Sequence, residues 1–72
     1  MAAPGVHVVP VGDQWSVEEG GKSISTHATQ EEAEQFARDE AIRTRGELVV
    51  HGRNGRIRRK DSFGNDPRSI KG

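Results

Sequence analysis

Two glycine turns set six residues apart constrain this chain more than any other feature. Gly12-Asp13 and Gly20-Gly21 are both two-residue hairpin signals, since glycine and aspartate tolerate the positive φ that tight antiparallel turns require. They bracket QWSVEE, with VHVVP before and KSIST after. Each turn implies its own register. A turn at Gly12-Asp13 pairs Val11 with Gln14, Pro10 with Trp15 and Val8 with Val17. A turn at Gly20-Gly21 pairs Glu19 with Lys22 and Val17 with Ile24. Both registers put Val6, Val8, Trp15, Val17 and Ile24 on one face. A slip of one residue would turn a strand's apolar set to the other side, so this agreement predicts a three-stranded meander with one buried face. Glu19 opposite Lys22 adds a favourable cross-strand pair.

A helix follows. Thr29-Gln30-Glu31-Glu32 reads as a capping box: the Thr29 hydroxyl accepts from the amide of Glu32, whose side chain can reach back. Acids in the first turns and Arg43 and Arg45 in the last suit the helix dipole. Gly46 is the expected left-handed residue after a helix running from about Gln30 to Arg45. Ala33, Phe36, Ala37 and Ala41 form one narrow stripe, which predicts a close approach to the sheet with Phe36 as the main anchor. Ile42 lies off that stripe, suited to a sheet edge or a contact with another chain.

The last third holds HGRNGRIRRKDSFGNDP, residues 51–67. Asn54-Gly55 predicts a type I′ hairpin pairing Arg53 with Arg56, Gly52 with Ile57, His51 with Arg58 and Val50 with Arg59. Leu48, Val50 and Ile57 then share a core face. Val49, His51, Arg53, Arg56 and Arg58 share the other. Phe63 is expected to fold back onto the core. The reading is one α+β domain of order βββαββ, an antiparallel sheet with one helix on one face. The domain spans residues 6–67, between flexible ends at 1–5 and 68–72. Whether the last hairpin joins the first sheet or pairs with another chain is open at this level.

Composition narrows the function classes. Only 31% of the 72 residues are hydrophobic and 31% are charged, and there is no cysteine. A chain this short has little core, and no disulfide or thiolate-held metal can reinforce it. No apolar run is long enough to span a membrane. The start, MAAPGVHVV, has no basic region leading into an apolar core, so a cytoplasmic location is expected. Net charge is zero but unevenly spread: residues 1–50 carry 4 basic and 9 acidic side chains, residues 51–72 carry 7 and 2. That asymmetry suits either a polyanion or a complementary protein surface.

The pattern HVVP, a Gly/Asp turn with W-x-V, a helix opening T-x-x-E-A, then LVVHGRNGRIR and DSFGNDP resembles DUF2188, a widespread family of small bacterial proteins catalogued as a domain of unknown function. The resemblance covers roughly Val6 to Pro67. It departs at Asn54, where Asp is common, and at Phe63, where Tyr is common. It implies a small bacterial cytoplasmic protein and brings no activity or site residues with it.

Catalysis has thin support in the residues. His51, Asp61, Ser62 and Asp66 make a triad only on paper, with no nucleophile motif. Asp61-Ser62 reads more simply as turn capping. His7, His27 and His51 show no ligand spacing, and residues 61–66 lack the alternation and distal Glu of a calcium loop. His51 is expected beside Arg58 or bonded to the tail. No catalytic residue, cofactor, metal or small-molecule substrate is therefore assigned. The reading favours a non-enzymatic protein-interaction or self-association module, with a protein partner or a second copy. The alternative is DNA or RNA binding by a basic hairpin of His51, Arg53, Arg56, Arg58, Arg59 and Lys60, since a two-stranded ribbon fits the major groove and clustered cations bind phosphate. Against that alternative stand the neutral net charge and the lack of stacking aromatics on the basic face.

Overall fold

A computed structural model describes residues 5–64. Strand β1 (Gly5–Val11), β2 (Gln14–Glu19) and β3 (Lys22–His27) precede helix α1 (Gln30–Thr44), and β4 (Glu47–His51) and β5 (Ile57–Ser62) follow. The element order is the expected βββαββ. All five strands form one sheet in the order β3-β2-β1-β4-β5. The last hairpin therefore joins the first sheet, through a β1–β4 pair that sets Val6 beside Leu48 and Val8 beside Val50. That pair is parallel, because the helix carries the chain back before β4 begins, so the sheet is mixed. The proposed flexible ends at 1–4 and 68–72, and the end of the domain at 65–67, lie outside the described residues. Gly5 already belongs to β1.

The first hairpin has the expected register, Val8 opposite Val17, Pro10 opposite Trp15 and Val11 opposite Gln14. The second turn uses both glycines at positive φ, 63° and 81°, and sets Glu19 opposite Lys22 as expected. There the expected register ends. Val17 faces Ser25 and Glu18 faces Ser23, which leaves Ile24 as an extra residue in a bulge. Ile24 is 43% exposed instead of lying in the core. A bulge on an edge strand increases local twist and interrupts the flat edge on which another chain would pair.

The helix begins as its capping box specifies, the Thr29 hydroxyl accepting from the Glu32 amide at 3.1 Å. It ends one residue early. Arg45, not Gly46, adopts the left-handed conformation (φ 56°), and the Gly46 amide bonds back to the Ala41 carbonyl at 2.9 Å. Ala33, Ala37 and Ala41 are fully buried, whereas Phe36 is 40% exposed and is not the anchor. The small alanines let the helix sit close against the sheet, with their stripe at the centre of the contact. Phe36 lies about 100° around the axis from Ala37, at the β3 edge, where its ring meets His27 with centroids 5.4 Å apart.

The core therefore comes from the sheet: Val6, Val8, Trp15, Val17, Leu48 and Val50 against the three alanines. Phe63 packs on its margin, as expected, and its amide donates to the Gly46 carbonyl at 2.9 Å. No helix of the described residues is long and apolar enough to cross a membrane.

Candidate functional site

The β4–β5 hairpin decides where the basic side chains go, and its turn is not type I′. Gly55 alone has positive φ (85°). The Gly55 amide donates to the Gly52 carbonyl at 2.9 Å, and the Gly52 amide to the Arg56 carbonyl at 2.7 Å. The loop is thus three residues long, Arg53-Asn54-Gly55, with glycine in the left-handed position. Asn54 stabilises it by accepting the Arg56 amide at 3.1 Å. The longer loop shifts the pairing by one residue, so His51 faces Ile57. A bulge at Arg58 then restores the expected register, with Val50 opposite Arg59. Two irregularities cancel along the strand, but between them the faces are exchanged. Ile57 leaves the core side and is 61% exposed.

The arginines consequently do not line one surface. Arg58 reaches the helix start, Nη1 donating to Gln30 Oε1 at 2.8 Å. Arg59 shares the side of Val50 and bonds Glu34 of the helix at 2.7 Å, with Asp61 at 3.3 Å. Arg53 lies over the Trp15 ring, 4.9 Å from its centroid, and donates to the Gly12 carbonyl at 3.1 Å. Lys60 stands 3.9 Å from Glu47, and Arg56 is exposed. Most of the expected polyanion surface is thus engaged in clamping β5 and the loop to the helix and to β1–β2. Asp61 sits opposite Leu48, on the helix side, whereas His51 is on the other side of the sheet. The residues of the paper triad that are described do not converge, and Asp66 lies outside the described residues.

Among the described residues, His51 meets neither Arg58 nor the tail, of which residues 65–72 lie outside that range. It stacks on His7 of β1, with ring centroids 5.4 Å apart and planes at 25°, and His7 Nδ1 lies 3.1 Å from His51 Nε2. The second His51 nitrogen, Nδ1, is 3.3 Å from the Gly55 carbonyl. A carbonyl only accepts, so His51 donates from Nδ1 and presents Nε2 as an acceptor to His7. Its backbone carbonyl accepts from Gln30 Nε2 at 3.2 Å. No sequence spacing marks this pair, because the two histidines are 44 residues apart and meet only through the parallel β1–β4 contact. The alternation of β1 and β4 was nonetheless a usable signal: it puts both residues on the face opposite the helix.

Among the described residues, no helix lies over that face. The face carries His7, Val9 and Val11 of β1, Ser16 and Glu18 of β2, Val49 and His51 of β4, and Ile57 and Lys60 of β5. Val11 is 52% exposed, while Ser16 is buried and bonded to Ser23 at 2.7 Å. On the helix side, a groove of about 370 Å³ between α1 and β5 is lined by Arg38, Arg59, Asp61 and Phe63. Among the described residues, no group of three or more His, Cys, Asp or Glu side chains is placed to hold a metal ion.

One carboxylate pair is electrostatically tuned. Partial burial, then the hydrogen bond and like charge of Glu40, hold Glu19 above the ordinary carboxylate value, against the pull of Arg43. Glu40 is held below it, first by its bond to Arg43 and then by that to Glu19. The Arg43 guanidinium grips Glu40 with contacts of 2.6 and 3.1 Å. This cluster ties β2 to the last helical turn.

The fold and this open face define a small α+β domain, one helix on a five-stranded mixed sheet. Residues 6–63 match DUF2188, a family of uncharacterised proteins of bacteria, and the chain belongs to that family. No curated protein and no solved structure matches the chain.

Proposed function

We propose that this protein is a non-enzymatic interaction module of the bacterial cytoplasm that docks through the uncovered face of its sheet, with a second copy as the partner. The observation that carries this is the contrast between the two faces. One is sealed by the alanine stripe of α1, and the other, over which no helix of the described residues lies, presents exposed Val11 and Ile57 and half-buried Val9 around the two histidines, with Val49 buried between them. A half-apolar sheet face in a domain with so little core is better buried than wet. The charges favour self-pairing. Glu18 lies on the β2 side of the face and Lys60 on the β5 side. A two-fold axis along β1 brings the β4–β5 half of one copy over the β2–β3 half of the other, opposing these charges in aligned sheet packing.

Sedimentation over a range of concentrations tests this. The expected result is a reversible dimer that Val11→Glu combined with Ile57→Glu converts to a folded monomer. A wild-type protein that stays monomeric at every concentration refutes self-pairing.

Nucleic-acid binding is the second reading, supported by exposed Arg56 and by the local excess of Arg53, Arg58, Arg59 and Lys60 beside His51. It competes with the internal contacts of three of those arginines. Amide shifts on residues 51–60 during titration with a short DNA duplex, weakening steeply with salt, are what this reading expects.

A further inference from the structure

We propose that His7 and His51 form a two-imidazole site for a borderline divalent cation of the Zn²⁺ type, on the open face of the sheet. The inference goes beyond the docking reading and does not depend on it. Imidazole nitrogen is a favoured ligand for such ions. The argument is first one of span. With metal–nitrogen bonds of about 2.0–2.1 Å, two nitrogens on one ion stand about 2.9 Å apart at a right angle and about 3.3 Å apart at the tetrahedral angle. His7 Nδ1 and His51 Nε2 are 3.1 Å apart, between those limits. Binding replaces the hydrogen bond between the rings, and each ring turns by roughly 35–45° so that both lone pairs meet at the ion.

The second argument is preorganisation. The two rings rise from neighbouring strands joined by the β1–β4 ladder, so their separation is set by backbone and not by flexible loops. His51 donates its other N–H toward the Gly55 carbonyl. This is the outer contact that fixes tautomer and ring orientation in metal-bound histidines, and it leaves Nε2 as the ligating atom. On His7, binding moves the proton from Nδ1 to Nε2, so the imidazole stays neutral and no proton is lost. Glu18 faces His7 across the β1–β2 ladder on the same side of the sheet and adds negative charge beside the ion. Water completes the coordination from the open side.

The test is a titration of the full chain with zinc chloride, followed by the imidazole and amide NMR signals of all three histidines. The expected result is a saturable one-to-one shift at His7 and His51, with His27, on the helix side against Phe36, unaffected. His7→Ala weakens binding by about tenfold or more, and His27→Ala leaves it unchanged. Both variants are checked for fold by their amide spectra, and His7→Gln serves if His7→Ala unfolds. Metal should also raise the thermal midpoint of the wild type and not of the His7 variant. Absence of a saturable shift, equal shifts at all three histidines, or binding untouched by loss of His7 overturns the proposal. Repeating the titration at protein concentrations well below and above those at which the chain pairs separates it from self-association, since binding by His7 and His51 of one chain does not change with dilution.

Discussion

Gly64 lies so close to the carbonyl of Arg45 that a Cβ on residue 64 would collide with the carbonyl oxygen and crowd its carbon at 3.4 Å. The contact is between backbones, so neither partner can swing aside. It fixes the chain after β5 against the end of the helix, next to the bond from Phe63 to Gly46. Gly64→Ala should therefore destabilise the fold by about 1–3 kcal/mol, the usual range for overpacking. Chemical denaturation measures this, and a neutral Gly64→Ala would mean that the contact relaxes freely.

Arg45 itself sits in the left-handed region at φ 56°, where a Cβ crowds the following carbonyl. Glycine has no such penalty. Arg45→Gly should stabilise the protein by about 0.5–1 kcal/mol despite the extra freedom of the unfolded chain. A loss of stability would show that the arginine side chain contributes more than its backbone costs.

Trp15 and Phe36 should behave differently although both are large aromatics. Trp15 is 4% exposed and inside the core, so Trp15→Ala should cost about 3–5 kcal/mol. Phe36 is 40% exposed at the helix margin, and Phe36→Ala should cost only about 1–2 kcal/mol on the scale of partial burial. Thermal melts of the two variants provide the comparison, and equal losses would contradict the described placement of the helix.

Glu19 carries a pH signature. Its folded form holds a proton above the ordinary value of 4.5, so the fold loses stability as pH rises from that value through the raised one. Glu40, held low by Arg43, contributes in the opposite sense: its stabilisation is present above the ordinary value and lost as pH falls through the lowered one. Glu19→Gln removes the first effect. The variant should be more stable than the wild type at neutral pH, with the difference shrinking as pH falls toward 4.5. Urea midpoints across that range read the trend, and a constant offset would rule out the carboxylate pair as its source.

The local parts of this fold could be read from residues alone. Glycine pairs between alternating strands, a Thr29 cap with Glu32 behind it and an alanine stripe each act within a few residues, where sterics and hydrogen bonding admit few alternatives. The element order and the β1–β2 register followed from them, and the family from the resemblance carried by LVVHGRNGRIR and DSFGNDP. What only tertiary structure decided was how strand irregularities and distant segments fit together. The bulges at Ile24 and Arg58 were invisible because a bulge is a compromise between a turn's own geometry and the pairing beyond it. They moved Ile24 and Ile57 out of the core and turned Arg53 and Arg58 of an apparent arginine face into clamps on Trp15 and Gln30. The parallel β1–β4 pair brought His7 to His51, a contact that no local spacing encodes, since it depends on where the helix returns the chain.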